Sequence, residues 1–259
     1  MTDFPLPHFS TDLSGQTALV TGASAGLGQR FARVLAKAGA KVALTARRVD
    51  KLEALAAEIR QSGGVAEVFA LDVTDGARCE AVVAEAEAKL GPISILINNA
   101  GMPDAQRAHK MPVELIDQVL NTNVRAPFIL ATAVARRLIA QKLPGRIVNI
   151  SSMSGYYYDG NGAALYSVTK AAVARMVEAL AVEWAGYHIN VTGIAPGVFK
   201  SEMMDGMIAR IGAPFWEKFP RKRMGEAAQL DSTLLYLVSP ASEAVTGTII
   251  KVDDGQLPR

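Results

Sequence analysis

Tyr166 and Lys170 are the pair of residues in this sequence whose types and spacing best suit proton transfer. Residues four positions apart lie on one face of a helix, so both side chains can reach the same bound molecule. A free tyrosine has a pKa of about 10 and is a poor base near neutral pH. A neighbouring ammonium group stabilises the phenolate and lowers that pKa. The pair therefore indicates acid–base chemistry by a tyrosine that a lysine assists.

A second informative stretch is the glycine-rich sequence Thr21-Gly22-Ala23-Ser24-Ala25-Gly26-Leu27-Gly28. It follows an apolar run at residues 17–20 and precedes apolar-periodic residues that begin near Phe31, which predicts a strand, a turn and a helix. Glycine allows positive φ and lets a ligand approach the backbone, and the first turn of a helix offers free N–H groups to an anion. The stretch therefore predicts a phosphate-binding loop.

Length and composition narrow the class of protein. The chain has 259 residues, 50% of them apolar, which suits a single α/β domain spanning residues 1–259. Its 27 basic and 25 acidic residues nearly balance, so charge indicates neither a nucleic-acid nor an anionic-membrane partner. Cys79 is the one cysteine, and the first residues lack the pattern of a secretory leader. No apolar run is long enough to span a bilayer, and we expect a cytoplasmic protein.

Strand-like and helix-like segments alternate after a lead, residues 1–15, that we expect to be loose. Short connections join them, as in parallel β-α-β units. Strands are predicted at residues 17–20, 41–46, 65–71, 93–98, 146–151, 189–195 and 248–252. One or two long helices are predicted over residues 113–141, and another over 164–185. The fold class is thus predicted to be α/β, a doubly wound Rossmann fold with about seven parallel strands and helices on both faces.

Several motifs in chain order make the sequence resemble the short-chain dehydrogenase/reductase family, in its compact single-domain branch. The likeness extends over residues 15–255. The matching motifs are TGxxxGxG at Thr21 to Gly28, NNAG at Asn98 to Gly101, the helix asparagine at Asn123, the serine at Ser152, YxxxK at Tyr166 to Lys170, and PG at Pro196-Gly197. Each motif alone is common, whereas their joint occurrence in this order is typical of the family.

The resemblance implies catalytic roles for Asn123, Ser152, Tyr166 and Lys170. Tyr166 would be the acid toward a ketone, or the base toward an alcohol. Lys170 would lower the tyrosine pKa and hydrogen-bond the nicotinamide ribose. Ser152 would donate to the substrate oxygen, where negative charge develops. Asn123 would help to hold Lys170 through a water molecule and connect the site to a proton relay.

The spacing leaves the catalytic serine open between three candidates. Fourteen positions separate Ser152 from Tyr166, one more than in many members of the family. The extra residue falls in a tyrosine- and glycine-rich stretch at residues 156–162. Ser151 and Ser154 are therefore alternatives, and the match of IVNISS favours Ser152.

The end of the second predicted strand indicates the cofactor. Ala46 stands where family members that prefer NAD carry an acidic residue, and Arg47 and Arg48 follow. Arginine presents a planar set of donors that suits a 2′-phosphate, so we predict NADP(H), with Arg47 as first contact, unless both arginines are solvated surface residues. No metal is expected. The cofactor-binding residues that the resemblance implies are Gly22, Ser24, Ala25, Gly26, Leu27, Gly28, Arg47, Arg48, Asp72, Val73, Asn99, Ala100, Gly101, Tyr166, Lys170, Pro196, Gly197, Val198 and Ser201.

Residues 198–225 lie where the family builds a lid over its substrate. The segment is rich in apolar side chains, namely Phe199, Met203, Met204, Met207, Ile208, Phe215, Trp216 and Phe219. With Tyr156 to Tyr158 opposite, these side chains favour an apolar carbonyl substrate, although they can equally pack the lid or a subunit contact. The basic run Arg221-Lys222-Arg223 suits either a phosphate or thioester carrier or a solvated turn.

Three functions are compatible with these features. The first is an NADPH-dependent carbonyl reductase acting on a small molecule, or the reverse alcohol dehydrogenase. Within this first function, the alternative is a 3-oxoacyl-thioester reductase, whose substrate is bound to a carrier protein or to coenzyme A. Val182 before Glu183 counts mildly against a carrier-bound substrate. A non-catalytic nucleotide-binding regulatory protein is disfavoured because Tyr166 and Lys170 are both present. An epimerase or dehydratase of the same fold is disfavoured because only about sixty residues follow Pro196.

The resemblance also implies a homotetramer, or a dimer. The subunits would meet through the helices at residues 113–141 and 164–185 and through the last strand. An alanine-rich run in the second of these helices lets helices approach closely, between subunits or within the chain.

Overall fold

A seven-stranded parallel sheet forms the centre of the protein, whose computed structural model describes residues 7–104, 106–158, 160, 162–211 and 214–257. The strands are β1 (Thr17–Thr21), β2 (Lys41–Ala46), β3 (Val65–Ala70), β4 (Ile95–Asn98), β5 (Gly145–Ile150), β6 (Ile189–Pro196) and β7 (Ile249–Val252). They lie in the order β3-β2-β1-β4-β5-β6-β7, and every neighbouring pair is parallel. The predicted doubly wound α/β fold is confirmed. Residues 1–6, Asp159, Asn161 and the side chains of Met203 and Met207, which the sequence singled out, lie outside the described part.

Helices connect the strands. Within the described residues the α-helices are α1 (Gly26–Lys37), α2 (Val49–Gln61), α3 (Gly76–Leu90), α4 (Val113–Leu120), α5 (Ala126–Gln141), α6 (Ala164–Trp184), α7 (Glu202–Ile211) and α8 (Asp231–Val238). In that same part of the chain, no helix is both long and apolar enough to cross a membrane.

Alternate residues of β1 face two separate hydrophobic cores. Ala18 and Val20 pack in a cluster with buried residues of α1, α2 and α8. Leu19 packs in a second cluster with buried residues of α3, α5 and α6. Because both faces of the sheet are covered, β1 is an uninterrupted buried run. Ligands of such sheets bind in the loops that follow the carboxyl ends of the strands.

A π-helical turn at Asn121–Arg125 separates α4 from α5. The sequence predicted one or two helices over this stretch without locating the junction. π-Helical turns inside α-helices occur frequently at functional sites, and this one carries Asn123.

Part of the N-terminal lead is anchored. Leu13 is fully buried in the first core, and its N–H donates to the carbonyl of Ala38 at 2.8 Å. The hydroxyl of Ser239 donates to the carbonyl of Ser10 at 2.6 Å. The expectation of a loose lead therefore does not hold for the residues near Leu13, because an apolar side chain there fills space beside α1 and α8.

Candidate active site

Tyr166 and Lys170 lie in the first two turns of α6, where Lys170 is buried and Tyr166 is half-buried. The Lys170 ammonium donates to the carbonyl of Ile150, at the end of β5, at 2.8 Å. Its Nζ lies 5.5 Å from the centroid of the Tyr166 ring. The predicted pair therefore forms, beside the carboxyl edge of the sheet.

Burial dominates the acidity of both groups. It raises the pKa of Tyr166 to about 12, although the Ser152 hydroxyl acts in the opposite direction. It lowers the pKa of Lys170 to about 8. Desolvation of the phenolate raises the pKa of Tyr166 in this structure, and the lowering of that pKa by the ammonium stays a prediction. Tyr166 is thus a phenol that holds a proton it can donate.

The three candidate serines have different surroundings. The hydroxyl of Ser152 accepts the N–H of Ser154 at 3.1 Å and hydrogen-bonds the Tyr166 side chain. The hydroxyl of Ser151 donates to the backbone carbonyl of Lys170 at 2.8 Å. Ser154 contributes its carbonyl to the hydroxyl of Ser167 at 2.6 Å. Ser152 is therefore the candidate whose side chain meets the tyrosine.

A glycine fixes the turn that carries this serine against the helix. Residues Met153–Gly155 form a short 3₁₀ turn. A Cβ atom on Gly155 would lie 2.8 Å from the carbonyl carbon of Lys170 and 2.9 Å from the nitrogen of Ala171. The backbone of the turn thus packs directly on the backbone of α6.

Asn123 links the loop after β4 to α6. Its Oδ1 accepts the N–H of Met102 at 2.9 Å, and its Nδ2 donates to the Met102 carbonyl at 2.9 Å and to the hydroxyl of Thr169 at 3.1 Å. A Cβ on Gly101 would lie 3.5 Å from Asn123 Oδ1 and 3.6 Å from the Nζ of Lys170. The four predicted catalytic residues are therefore gathered in one place, and the water-mediated contact of Asn123 with Lys170 stays a prediction.

Asp104 is a residue of the site that the sequence did not reveal. Its carboxylate is buried and accepts the N–H groups of Leu165, at 2.9 Å, and Tyr166, at 3.1 Å. Ala163, the residue at the start of α6, provides no side-chain cap. A carboxylate from 61 positions away caps the catalytic helix instead. The signal in the sequence was the missing local cap.

The glycine turn and the NNAG loop interlock. The hydroxyl of Thr21 accepts the N–H groups of Asn99 and Ala100, both at 3.0 Å, and the Asn99 Nδ2 donates to the Thr21 carbonyl at 2.9 Å. Gly22 has φ of 66°. A Cβ on Gly28 would lie 2.4 Å from both Asn99 Nδ2 and the Gly22 carbonyl oxygen. Glycine is therefore required here by the close approach of backbone and amide.

A cavity of about 520 Å³ opens beside this turn, between Ser24, Ala25 and Gly26 and residues Ser201 and Glu202 of the predicted lid. Its polar rim and the backbone cradle of the turn suit the phosphates of a dinucleotide.

The two arginines after β2 lie in different surroundings. Nε and Nη2 of Arg48 donate to the hydroxyl of Ser24 at 3.2 and 3.1 Å. The charge of Arg47 instead helps to lower the pKa of Asp72, whose main cause is hydrogen bonding from Thr74. Arg48 therefore contacts the glycine turn, and the order in which the sequence ranked the two arginines stays a prediction.

The remaining predicted cofactor residues follow the strands of the same edge. Asp72 and Val73 come after β3, and Gly197 after β6. The N–H of Val198 donates to Oε1 of Gln256 at 2.6 Å. A Cβ on Gly26 would lie 3.5 Å from Cβ of Ser201, which brings the start of the lid to the glycine turn.

Aromatic residues of the predicted lid contact one another. The ring of Phe215 lies edge-on to Trp216, with centroids 5.5 Å apart, and to Phe219, at 5.9 Å. The ring of Phe199 is buried against Gly225. Internal packing, one of the two roles considered from the sequence, therefore accounts for several of these side chains.

The basic run of the lid is paired with a carboxylate. Arg221 lies 2.8 Å and Arg223 2.7 Å from the two carboxylate oxygens of Asp254. Two of the three cations thus have an internal partner.

The chain is similar to known proteins over most of its length. The short chain dehydrogenase family matches residues 16–210. The gluconate 5-dehydrogenase of Gluconobacter oxydans is 36% identical over 245 residues, 94% of this chain and 95% of that protein. The 3-oxoacyl-acyl-carrier-protein reductase of Rickettsia bellii is 34% identical over 247 residues, 95% and 98% of the two chains. A solved gluconate 5-dehydrogenase from Burkholderia cenocepacia, in complex with NADP and tartrate, is 32% identical with a TM-score of 0.90, covering 96% and 98%.

The chain belongs to the short-chain dehydrogenase family. Members are oxidoreductases that act on CH–OH or C=O groups with a nicotinamide cofactor, and the expected family is confirmed.

Proposed function

We propose that this protein interconverts a ketone and a secondary alcohol with NADP(H), and that Tyr166 transfers the proton. The observation that carries the proposal is the half-buried Tyr166 side chain, hydrogen-bonded to Ser152 and beside the Lys170 ammonium. The group lies at the carboxyl edge of the sheet, beside a glycine turn that suits a dinucleotide.

Each side chain has a distinct task. In reduction, Tyr166 donates its proton to the carbonyl oxygen, and in oxidation it takes the proton back. Ser152 donates a hydrogen bond to the same oxygen as negative charge develops there. Lys170, held on the Ile150 carbonyl, stabilises the phenolate that remains after proton transfer. A bound nicotinamide supplies or accepts the hydride at the carbon.

Arg48 supports the preference for NADP(H) over NAD(H). Its guanidinium lies on Ser24, within the turn that would hold the pyrophosphate, and β2 ends in Ala46 rather than an acidic residue. A carboxylate at that position would bind a ribose 2′-OH and repel a 2′-phosphate. Arginine at the edge of the cavity instead binds the phosphate.

The substrate class is proposed from the side chains of residues 198–225 and from the similar proteins. The apolar carbonyl favoured by the lid composition stays a prediction, because several lid aromatics pack on one another. Two of the similar proteins are named for gluconate, which makes polyols and sugar acids the first compounds to assay. A 3-oxoacyl thioester is the second candidate, since the Rickettsia bellii relative is named for it. The pairing of Arg221 and Arg223 with Asp254 leaves less free charge for a carrier protein.

The decisive experiment follows NADPH and NADH oxidation on a panel of keto-sugars, keto-sugar acids, diketones, aromatic ketones and 3-oxoacyl thioesters. The reverse reactions are followed on polyols and sugar acids. We expect one class to turn over with NADPH much preferred. Tight NADPH binding without turnover of any compound would favour the non-catalytic regulatory protein. Preference for NADH would contradict the assigned role of Arg48.

We further propose that the described sheet and helices act as one catalytic unit, with residues 198–225 as the substrate lid. The homotetramer, or dimer, and the cytoplasmic location stay predictions from the sequence. Val168 and Val182 on α6 and Phe128 on α5 are exposed apolar side chains on the helices through which the resemblance implies that subunits would meet. Sedimentation of the purified protein tests the assembly.

A further inference from the structure

We infer that Glu202, at the start of the lid helix α7, is a specificity-determining residue that competes with the 2′-phosphate of NADP(H) for the cations beside the glycine turn. The inference rests on the cofactor preference proposed above. It predicts that the protein binds NADPH less tightly than its cations alone would allow, and that cofactor binding displaces the lid.

Each carboxylate oxygen of Glu202 forms an ion pair with a cationic side chain of the proposed cofactor site. Oε2 lies 2.9 Å from Nη2 of Arg48, and Oε1 lies 3.0 Å from Nζ of Lys51. The same Nη2 donates to the hydroxyl of Ser24 at 3.1 Å. One guanidinium nitrogen therefore joins the glycine turn to the lid.

The Arg48 guanidinium, the Lys51 ammonium and the Ser24 hydroxyl are the kinds of group that bind a phosphate. A guanidinium, an ammonium and a hydroxyl converge at the rim of the cavity lined by Ser24, Lys51 and Glu202. Phosphate oxygens accept the same hydrogen bonds as the carboxylate oxygens that now occupy these donors. The pKa of Glu202 is lowered, with hydrogen bonds from Lys51 and Arg48 as the main causes, so the carboxylate is charged at neutral pH.

The carboxylate and a 2′-phosphate cannot both occupy Arg48 without repulsion between two anions. Binding of NADPH therefore requires Glu202 to leave, and the start of α7 to move with it. NADH lacks the phosphate and leaves the contacts of Glu202 intact. By linkage, the ion pair between Glu202 and Arg48 lowers the affinity for NADPH and leaves the affinity for NADH unchanged.

Calorimetric titration of the full-length protein with NADPH and with NADH tests this competition. The variant is Glu202→Gln. The control is Glu217→Gln, which makes the same chemical change at an exposed lid position that forms no ion pair within the described part of the chain. We expect Glu202→Gln to bind NADPH roughly threefold to tenfold more tightly, as the loss of two exposed ion pairs suggests. NADH affinity should change by no more than about twofold, and the control should change neither.

The outcomes separate this inference from the proposed function. Unchanged or weaker NADPH affinity in Glu202→Gln, or an equal gain for both cofactors, overturns the inference and leaves NADP(H) use intact. Failure of the wild type to bind NADPH overturns both.

Movement of the lid has its own readout in tryptophan fluorescence. Trp216 lies in the lid and Trp184 is buried in α6. Adenosine 2′,5′-bisphosphate should shift the emission of the wild type, whereas AMP should not. The shift should disappear in Trp216→Phe. Equal shifts with both nucleotides would show that the phosphate does not displace Glu202.

Discussion

The backbone N–H of Tyr166 donates to the carboxylate of Asp104 at 3.1 Å. Asp104 belongs to the loop that follows the NNAG motif, and its carboxylate also caps the neighbouring Leu165. A negative charge at this end of α6 interacts favourably with the helix dipole. The same charge helps to raise the pKa of Tyr166, after the larger effect of burial. One side chain thus positions the cofactor loop against the catalytic tyrosine and favours its protonated form.

We expect Asp104→Ala to lower both stability and turnover. The change leaves two helix N–H groups without their acceptor, which should reduce the free energy of unfolding by about 1–2 kcal/mol. The control is Asp75→Ala, which removes the cap of α3, where the side chain accepts the N–H of Arg78 at 3.0 Å. Both variants should unfold at lower urea concentration, and only Asp104→Ala should lose kcat. Equal kcat in the two variants would reduce Asp104 to a structural cap.

Tyr166→Phe should retain NADPH binding and lose nearly all turnover. The substitution keeps the ring beside Lys170 and removes the proton donor, a loss of roughly a hundredfold to ten-thousandfold in rate. Stopped-flow single turnovers and calorimetry on the same preparation separate chemistry from binding. Full activity in the variant would eliminate the mechanism proposed for this site.

Lys170→Met should make the protein more stable at pH 7 while abolishing turnover. Burial lowers the pKa of Lys170 to about 8 from 10.5, so the folded chain must hold a buried ammonium below pH 8. Replacing that charge should raise the free energy of unfolding by roughly 1–2 kcal/mol at pH 7. Between pH 8 and 10.5 the folded wild type has released the proton that its unfolded chain still binds, so the wild type gains stability and the difference narrows.

Chemical denaturation at pH 7 and pH 10 measures the effect of that change. Lys37→Met, at an exposed position of α1, is the control for the loss of one lysine side chain. A Lys170→Met variant less stable than the wild type at pH 7 would mean that the bond to the Ile150 carbonyl outweighs the cost of burial.

Gly28→Ala should destabilise the fold and disable the glycine turn. The added Cβ would lie 2.4 Å from Asn99 Nδ2 and from the carbonyl oxygen of Gly22, so the turn must shift. We expect a loss of about 2 kcal/mol and of NADPH binding. Gly186→Ala is the matched control, because its Cβ would meet no atom within 4 Å. Intact NADPH affinity in Gly28→Ala, measured by calorimetry, would show that the turn does not hold the cofactor.

Arg48→Ala should raise the dissociation constant for NADPH roughly tenfold to hundredfold and leave NADH nearly unchanged, as the loss of charged hydrogen bonds to a phosphate predicts. Arg47→Ala should have the smaller effect, since Arg48 is the residue that contacts Ser24. Titration of both variants ranks the two side chains. A larger effect at Arg47 would restore the order that the sequence alone suggested.

The sheet was predictable because each strand is an apolar run that can be identified from its own residues. The boundaries of β2 agree with the sequence prediction, and those of β3 differ by one residue, because glycines and apolar runs mark where segments end. The π-helical turn at Asn121–Arg125 was not located, because a single extra backbone residue within a turn changes no hydrophobic period visible in the sequence.

The contacts that refine the site were not predictable in the same way. Asp104 reaches α6 from 61 positions away, and Arg48 meets Glu202 across 154 positions. Motifs identify residue types along the chain, whereas such contacts depend on how loops from different strands come together. The pKa of Tyr166 also depended on burial, which spacing alone does not reveal.

The contact of Gly155 with the backbone of α6 fixes how close Ser152 lies to Tyr166, whatever the number of residues between them. Ser152 is held near Tyr166 by the turn Met153–Gly155, so the stretch between that turn and the start of α6 is free to vary in length. The additional residue between Ser152 and Tyr166 therefore leaves the relative position of these two side chains unchanged. Insertions after Gly155 offer a route by which substrate range could change during evolution, or be changed by design, while the proton-transfer geometry is inherited intact.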